Sequence, residues 1–147
     1  MAERPFSENA RRSIQLFKGV DLDGWRQAGP GRFRIEDGML VTEGGMGLLW
    51  YSARQFGNFE LQVDWRVTKK SDNSGIFVRF PAPTSKQPGE WNTFLIRVEG
   101  QIYNVTLNGE PVITSFKGNR SMRGHIGLQN HSPKDQVFFR NIIAAPL

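Results

Sequence analysis

The sequence predicts an all-β protein, an antiparallel β-sandwich of jelly-roll type, and three observations carry that prediction. About eleven short strand-like runs follow one another at the turn-rich spacing of sandwiches. No segment places apolar residues at helical period over the roughly ten residues or more that a helix needs. Residues 59–67 (FELQVDWRV) alternate strictly between apolar and polar along their whole length, the signature of a half-buried strand.

In chain order, the polar residues 1–12 are expected to form a flexible N-terminal arm ahead of a single domain over 13–147. Residues 14–17 (IQLF) give a short strand, and Gly19, Asp21, Asp23 and Gly24 supply a turn before Trp25. Residues 32–36 (RFRIE) and 39–43 (MLVTE) flank Asp37-Gly38, a hairpin signal because both residues accept positive φ. Gly44 and Gly45 break the chain, and 48–52 resumes as a strand. In 59–67 one face carries Phe59, Leu61, Val63, Trp65 and Val67 and the other Glu60, Gln62, Asp64 and Arg66. A polar turn over 69–75 then returns Ile76, Val78 and Phe80 to the apolar face with Arg79 opposite, so 58–80 reads as one hairpin.

The proline-broken stretch 81–89 reads as a loop. Strands over 92–99 and 101–108 pivot about Gly100, and Asn108-Gly109 is a second hairpin turn leading into 111–116. A polar loop over 117–123 precedes the closing strands at 124–129 and 136–143.

Composition bounds the function. Eleven Phe and four Trp within 147 residues are enough for a proper core. There is no cysteine, which removes disulfides and thiolate metal sites. No apolar run approaches the roughly 20 residues of a membrane helix, and the stretch MAERPFSENARRS has no hydrophobic segment of the signal-peptide kind. The net charge of +5 is scattered, with no basic stripe interleaved with aromatics, so neither nucleic acid nor a membrane is the expected partner.

A resemblance sharpens this picture. Leu16-Phe-Lys-Gly-Val-Asp-Leu-Asp-Gly-Trp25 resembles the opening LFxGxDLxGW of the 3-keto-disaccharide hydrolase family, a concanavalin A-like jelly roll. Asp37-Gly-Met-Leu40, Phe59-Glu-Leu61, Asn73-Ser-Gly-Ile76 with Arg79, and Gly89-Glu-Trp-Asn92 match further pieces in order. Leu107-Asn-Gly109, Gly127-Leu-Gln129 with His131, and Phe139-Arg-Asn-Ile142 complete the set, which spans the chain from Ile14 onward. Typical members carry a further segment, resembling GYEVQIxD and followed by GAIY, between the NSGI and GEWN pieces. Here Phe80 runs through the proline loop almost directly to Gly89, which makes this a shortened member lacking one strand and its acidic side chains.

Alternation projects Glu60, Gln62, Asp64, Arg66, Arg79, Arg97, Glu99, His125 and Gln129 onto one polar face, expected to be the concave face of the sandwich. Sugars in lectin-like sandwiches lie on such a face, held by amides, carboxylates and Arg over an aromatic ring, and Trp50 and Trp91 are the expected platforms. Trp25 and Trp65 read as structural. Glu60 and Asp64 cannot be a glycosidase pair, because four residues along one strand separate them by about 13 Å, beyond the reach of that chemistry. The resemblance implies a different reaction. A ketone at C3 of the sugar acidifies the C2 hydrogen, the glycosidic group leaves by elimination, and water adds back.

That reaction needs a base and a positive group for the developing enolate oxygen. Asp64 or His131 is the expected base and Arg79 the oxyanion partner. Glu60, Gln62, Arg66, Trp50, Trp91 and Gln129 are expected to bind substrate. Asp64 could instead pair with Arg66 or Arg79, and His131 could simply cap a turn. With only His125 and His131 in the chain a three-histidine zinc site is impossible, so no metal or other cofactor is expected, although Asp64, Glu60 and His131 could offer an oxygen-rich site to a divalent cation. The expected partner is an oligosaccharide or glycoside, and the resemblance suggests an extracytoplasmic setting. The alternative function on the same fold is a non-catalytic carbohydrate-binding or accessory module, which the missing segment favours.

Overall fold

The structure, a computed structural model, describes residues 12–69, 87–119 and 121–147 together with Phe6. Its strands are β1 (Ile14–Gln15), β2 (Trp25–Ala28), β3 (Arg32–Glu36), β4 (Met39–Glu43), β5 (Gly47–Tyr51), β6 (Phe59–Val67), β7 (Asn92–Glu99), β8 (Ile102–Leu107), β9 (Glu110–Lys117), β10 (Gly127–Asn130) and β11 (Val137–Pro146). Among the described residues there is no helix. The expected all-β antiparallel sandwich is what forms. The large sheet runs β3-β4-β11-β6-β7-β8-β9, and β1 shares the β4 edge of β11; the small sheet runs β10-β5-β2.

Hairpin chemistry sets the register. Asp37 (φ 48°) with Gly38 (φ 76°) joins β3 to β4, and Asn108 (φ 52°) with Gly109 (φ 83°) joins β8 to β9, both central residues of each turn being left-handed. The apolar face of β6 then packs across to the small sheet: Leu61 and Val63 lie in one core with Leu49 of β5 and Leu128 of β10. Burial of each such side chain contributes roughly 1.5–3 kcal/mol. Trp25 ties the opening motif to this core, because its indole N–H donates to the Leu16 carbonyl at 2.7 Å while its ring meets Tyr51 edge-on.

Three expectations change. The expected turn before Trp25 is followed by a strand that was not expected, β2; its residues Arg26, Gln27 and Ala28 are exposed and show no alternation. The closing strand β10 starts at Gly127, with Gly124 making only an isolated bridge to Phe56. The hairpin over 58–80 is not the organising unit, because β11 and β7 occupy the two edges of β6. Its second run, with Arg79, and the arm over 1–12, apart from Phe6 and Arg12, lie outside the described residues.

Candidate functional site

Since Leu61 and Val63 face the core, Glu60, Gln62, Asp64 and Arg66 project from the outer face of the large sheet. Register supplies their neighbours. Glu60 lies opposite Arg97, Asp64 between Thr93 and Arg140, and Arg66 opposite Phe138. Gln62 sits between Leu95 and Ile143, an apolar belt that divides the face into two polar ends.

At the first end charges are closed on themselves. Glu60 is 2% exposed, and its carboxylate accepts from the Arg97 guanidinium, which also donates to Glu99. Burial would lower the Arg97 pKa, but the hydrogen bonds to Glu99 and Glu60 outweigh it and raise the group above the ordinary arginine value. This cation is committed to protein carboxylates.

At the second end a β-bulge shapes the surface. Between Arg140 and Ile143 the register of β11 shifts, so that Asn141 and Ile142 oppose the single residue Val63. Asn141 takes φ 51°, which its short amide tolerates. The shift keeps Ile142 in the core and sends the Asn141 amide to Asp64 Oδ2 at 2.7 Å. The Thr93 hydroxyl donates to Asp64 Oδ1 at 2.6 Å, so both oxygens of this 7% exposed residue accept short bonds. Arg140 Nε stands 3.8 Å from Oδ2, too far to hydrogen-bond, and is itself buried without a hydrogen-bond partner. The Arg140 guanidinium instead lies 3.8 Å from the centre of the Trp91 ring. Arg66 approaches the same ring at 5.0 Å and the Phe138 ring at 4.4 Å.

A third group borders this end. Val137 pairs with Val67 at the C-terminal end of β6, while the Gly89 N–H donates to the Val67 carbonyl from the other side. The turn before Val137 therefore flanks one side of that end of β6, and the segment leading to Trp91 flanks the other. In that turn His131 Nδ1 lies 2.7 Å from Asp135 Oδ2, which also accepts from Ser132 Oγ at 2.9 Å. Asp135 is 6% exposed, whereas the His131 side chain is 36% exposed. An ionised carboxylate only accepts, so a neutral ring in this pair carries its proton on Nδ1 and leaves Nε2 as the acceptor. Lys69 Nζ donates to the Lys134 carbonyl at 2.6 Å, tying the turn to the chain beyond β6.

The expected site residues thus divide. Glu60, Gln62, Asp64, Arg66 and Trp91 share the outer face of the large sheet, and His131 lies in the turn that flanks the C-terminal end of β6. Trp50 and Gln129 do not join them: they project from the outer face of the small sheet, where Leu49 and Leu128 point inward between them. His125 is also on that side, with Nδ1 beside the Tyr51 carbonyl at 2.9 Å. A single polar face holding all of these is therefore corrected to two faces on opposite sheets. The cation site imagined from Asp64, Glu60 and His131 does not assemble either; among the described residues no three His, Asp or Glu side chains come together as metal ligands would. Arg79 lies outside the described residues. Trp25 and Trp65 do belong to the packing, Trp65 stacking on Phe94 at 5.5 Å. Sequence reasoning missed Asp135, Arg140 and Asn141 as members of the site, although Arg140 and Asn141 stand in the Phe139-Arg-Asn-Ile142 piece and Asp135 follows His131 at His-x-x-x-Asp spacing within a Ser-Pro turn.

Comparison with known proteins agrees with this architecture. A candidate glycosyl hydrolase from Parabacteroides distasonis superposes with a TM-score of 0.73 at 20% identity, over 92% of this chain and 94% of that one. The carbohydrate-binding module CBM66 from Bacillus subtilis gives a TM-score of 0.58 at 15% identity, over 96% and 99%. These likenesses show the fold. In sequence, a 3-keto-disaccharide hydrolase from Bacteroides thetaiotaomicron is 38% identical over 85 residues, which cover 50% of this chain and 29% of that relative's length. The model of the 3-keto-alpha-glucoside-1,2-lyase-like domain matches residues 12–87 and 81–143. Matched over nearly its whole length, the chain belongs to the 3-keto-alpha-glucoside-1,2-lyase-like domain family.

Proposed function

We propose that this domain cleaves 3-keto-glycosides by elimination, with the sugar lying on the Asp64–Arg66–Trp91 end of the outer face and His131 acting as the base. The observation that carries the reading is the His131–Asp135 pair, a half-buried imidazole held at Nδ1 by a buried carboxylate. Such a pair fixes the tautomer, aims Nε2 outward and stabilises the imidazolium formed on taking a proton. His131 Nε2 removes the hydrogen at C2, and the electrons of that bond pass into the C2–C3 enolate. They return to form the C1–C2 double bond as the glycosidic C1–O bond breaks, and the leaving oxygen collects a proton from the imidazolium. Water addition at C1 completes hydrolysis where it occurs. Asp64, whose oxygens already accept from Thr93 and Asn141, serves in this reading as an anchor for the surface and not as the base.

The test is release of free sugar from a 3-keto-disaccharide, together with exchange of the C2 hydrogen for deuterium in heavy water. Both are expected in the parent protein, and His131→Ala is expected to lose each by roughly 10²–10⁴-fold at unchanged melting temperature. Retention of glycans with neither exchange nor cleavage would transfer the domain to the binding-module reading.

A further inference from the structure

The outer face carries four arginines whose surroundings are known, and they fall into two kinds. Arg34 reaches Glu36 at 3.2 Å and Glu43 at 3.0 Å, and Arg97 holds Glu60 and Glu99. Each of these has two carboxylates. Arg66 has no carboxylate partner and no hydrogen-bond acceptor among the described residues; its neighbours are the rings of Trp91 and Phe138. Among the described residues Arg140 has only Asp64, at 3.8 Å, whose oxygens already accept at 2.6 and 2.7 Å from Thr93 and Asn141. Its Nε is a buried donor without an acceptor. Two like charges on adjacent strands are thus brought to one indole ring, and among the described residues the one carboxylate near them is Asp64, which already accepts from Thr93 and Asn141.

Cation–π contact explains how they are held but not what they face. A guanidinium lying over an aromatic ring keeps its N–H edge available, and that edge is the fork that fits a carboxylate, sulfate or phosphate through two parallel hydrogen bonds. It also changes the role of Trp91. With a guanidinium at 3.8 Å from its centre, the ring carries an arginine where a sugar platform would need bare surface.

We propose that Arg66 and Arg140, presented by Trp91, form a subsite for an anionic group on the sugar, so that the preferred glycoside is acidic: a uronate, or a sulfate or phosphate ester. This rests on the reading that a sugar occupies this face, and it names the substrate class.

The experiment is calorimetric titration of the whole chain with methyl glucuronide, glucose 6-sulfate, glucose 6-phosphate, methyl glucoside and inorganic sulfate alone, at low and moderate salt. At least one anionic sugar is expected to bind 10-fold or more tighter than methyl glucoside, with affinity falling as salt rises. Which of the three wins identifies the source of the anion. Arg66→Gln and Arg140→Gln are each expected to erase the preference, Arg66→Lys to restore part of it, and Arg34→Gln to leave it intact, with melting curves confirming the fold. Equal binding of acidic and neutral sugars, a preference untouched by both Gln variants, or inorganic sulfate matching the best sugar would overturn the subsite. Cleavage of a neutral 3-keto-disaccharide by a protein that shows no anion preference would sink the subsite while leaving the proposed reaction standing. An anion preference without cleavage or C2 exchange would do the reverse.

Discussion

The two ends of one sheet face use arginine in opposite ways. At the Glu60 end, Arg97 neutralises a buried carboxylate and is fixed by a second one, so its charge belongs to the fold. At the Asp64 end, Arg66 and Arg140 lie over Trp91, and the nearest carboxylate among the described residues is engaged by neutral donors. The strand between them is the same strand and the alternation is the same alternation. What separates the two arrangements is whether the neighbouring strands supply the arginine's counter-ion, and the proposed subsite rests on that difference. The Leu95–Gln62–Ile143 belt keeps the two arrangements apart.

Substitutions can break or sharpen this contrast. The largest effect is expected at Asp135→Asn, which removes the charge behind His131 and frees the wrong tautomer; keto-glycoside cleavage should drop roughly 10–100-fold in kcat with KM little changed. Next is Arg97→Met, which leaves the Glu60 carboxylate buried without that cation. Loss of about 2–3 kcal/mol is expected, a fall of roughly 5–10 °C in Tm for a domain of this size. Arg66→Met and Arg140→Met, which keep the apolar stem over the rings, should cost no more than about 0.5 kcal/mol and still abolish recognition of anionic sugars. Equal thermal penalties at Arg97 and Arg66 would erase the distinction.

Asp64→Asn lies between these, because an amide cannot accept from both Thr93 and Asn141; about 1–2 kcal/mol should be lost by chemical denaturation. The smallest effect is expected at Trp50→Ala. This ring projects from the small sheet, so cleavage rates should stay within about twofold of the parent, a difference of less than about 0.5 kcal/mol in barrier.

Much of this was legible in the residues. The bounds of β3, β4, β6 and β7 follow from alternation and from Asp37-Gly38 and Asn108-Gly109, since these signals are local. Alternation also gives which side chains of β6 leave the core. It cannot give which sheet a strand joins, and so Gln129 and Trp50 were grouped with Asp64 although their strands pair with each other in the small sheet. The same limit hid the pairing of β6 with β11 and β7: Phe59 meets Pro146 and Val98, 87 and 39 positions further along, only once the chain is folded. Arg140 and Asn141 were visible as a family motif, but their reach to Trp91 and Asp64 depends on a bulge that no period reveals. Asp135 lies in a turn, where spacing carries little information; Thr42 of β4 helps hold that turn, its hydroxyl accepting from the Val137 N–H and lying 3.4 Å from the Asp135 carbonyl.

The most direct measurement is side-chain NMR of the arginine Nε–H, tryptophan Nε1–H and histidine ring signals during titration with an acidic glycoside. Shifts are expected at Arg66, Arg140, Trp91 and His131, with Arg97 and Trp50 unmoved. Shifts confined to Trp50 and its small-sheet neighbours, or centred on Arg97, would contradict a sugar site at the Asp64 end.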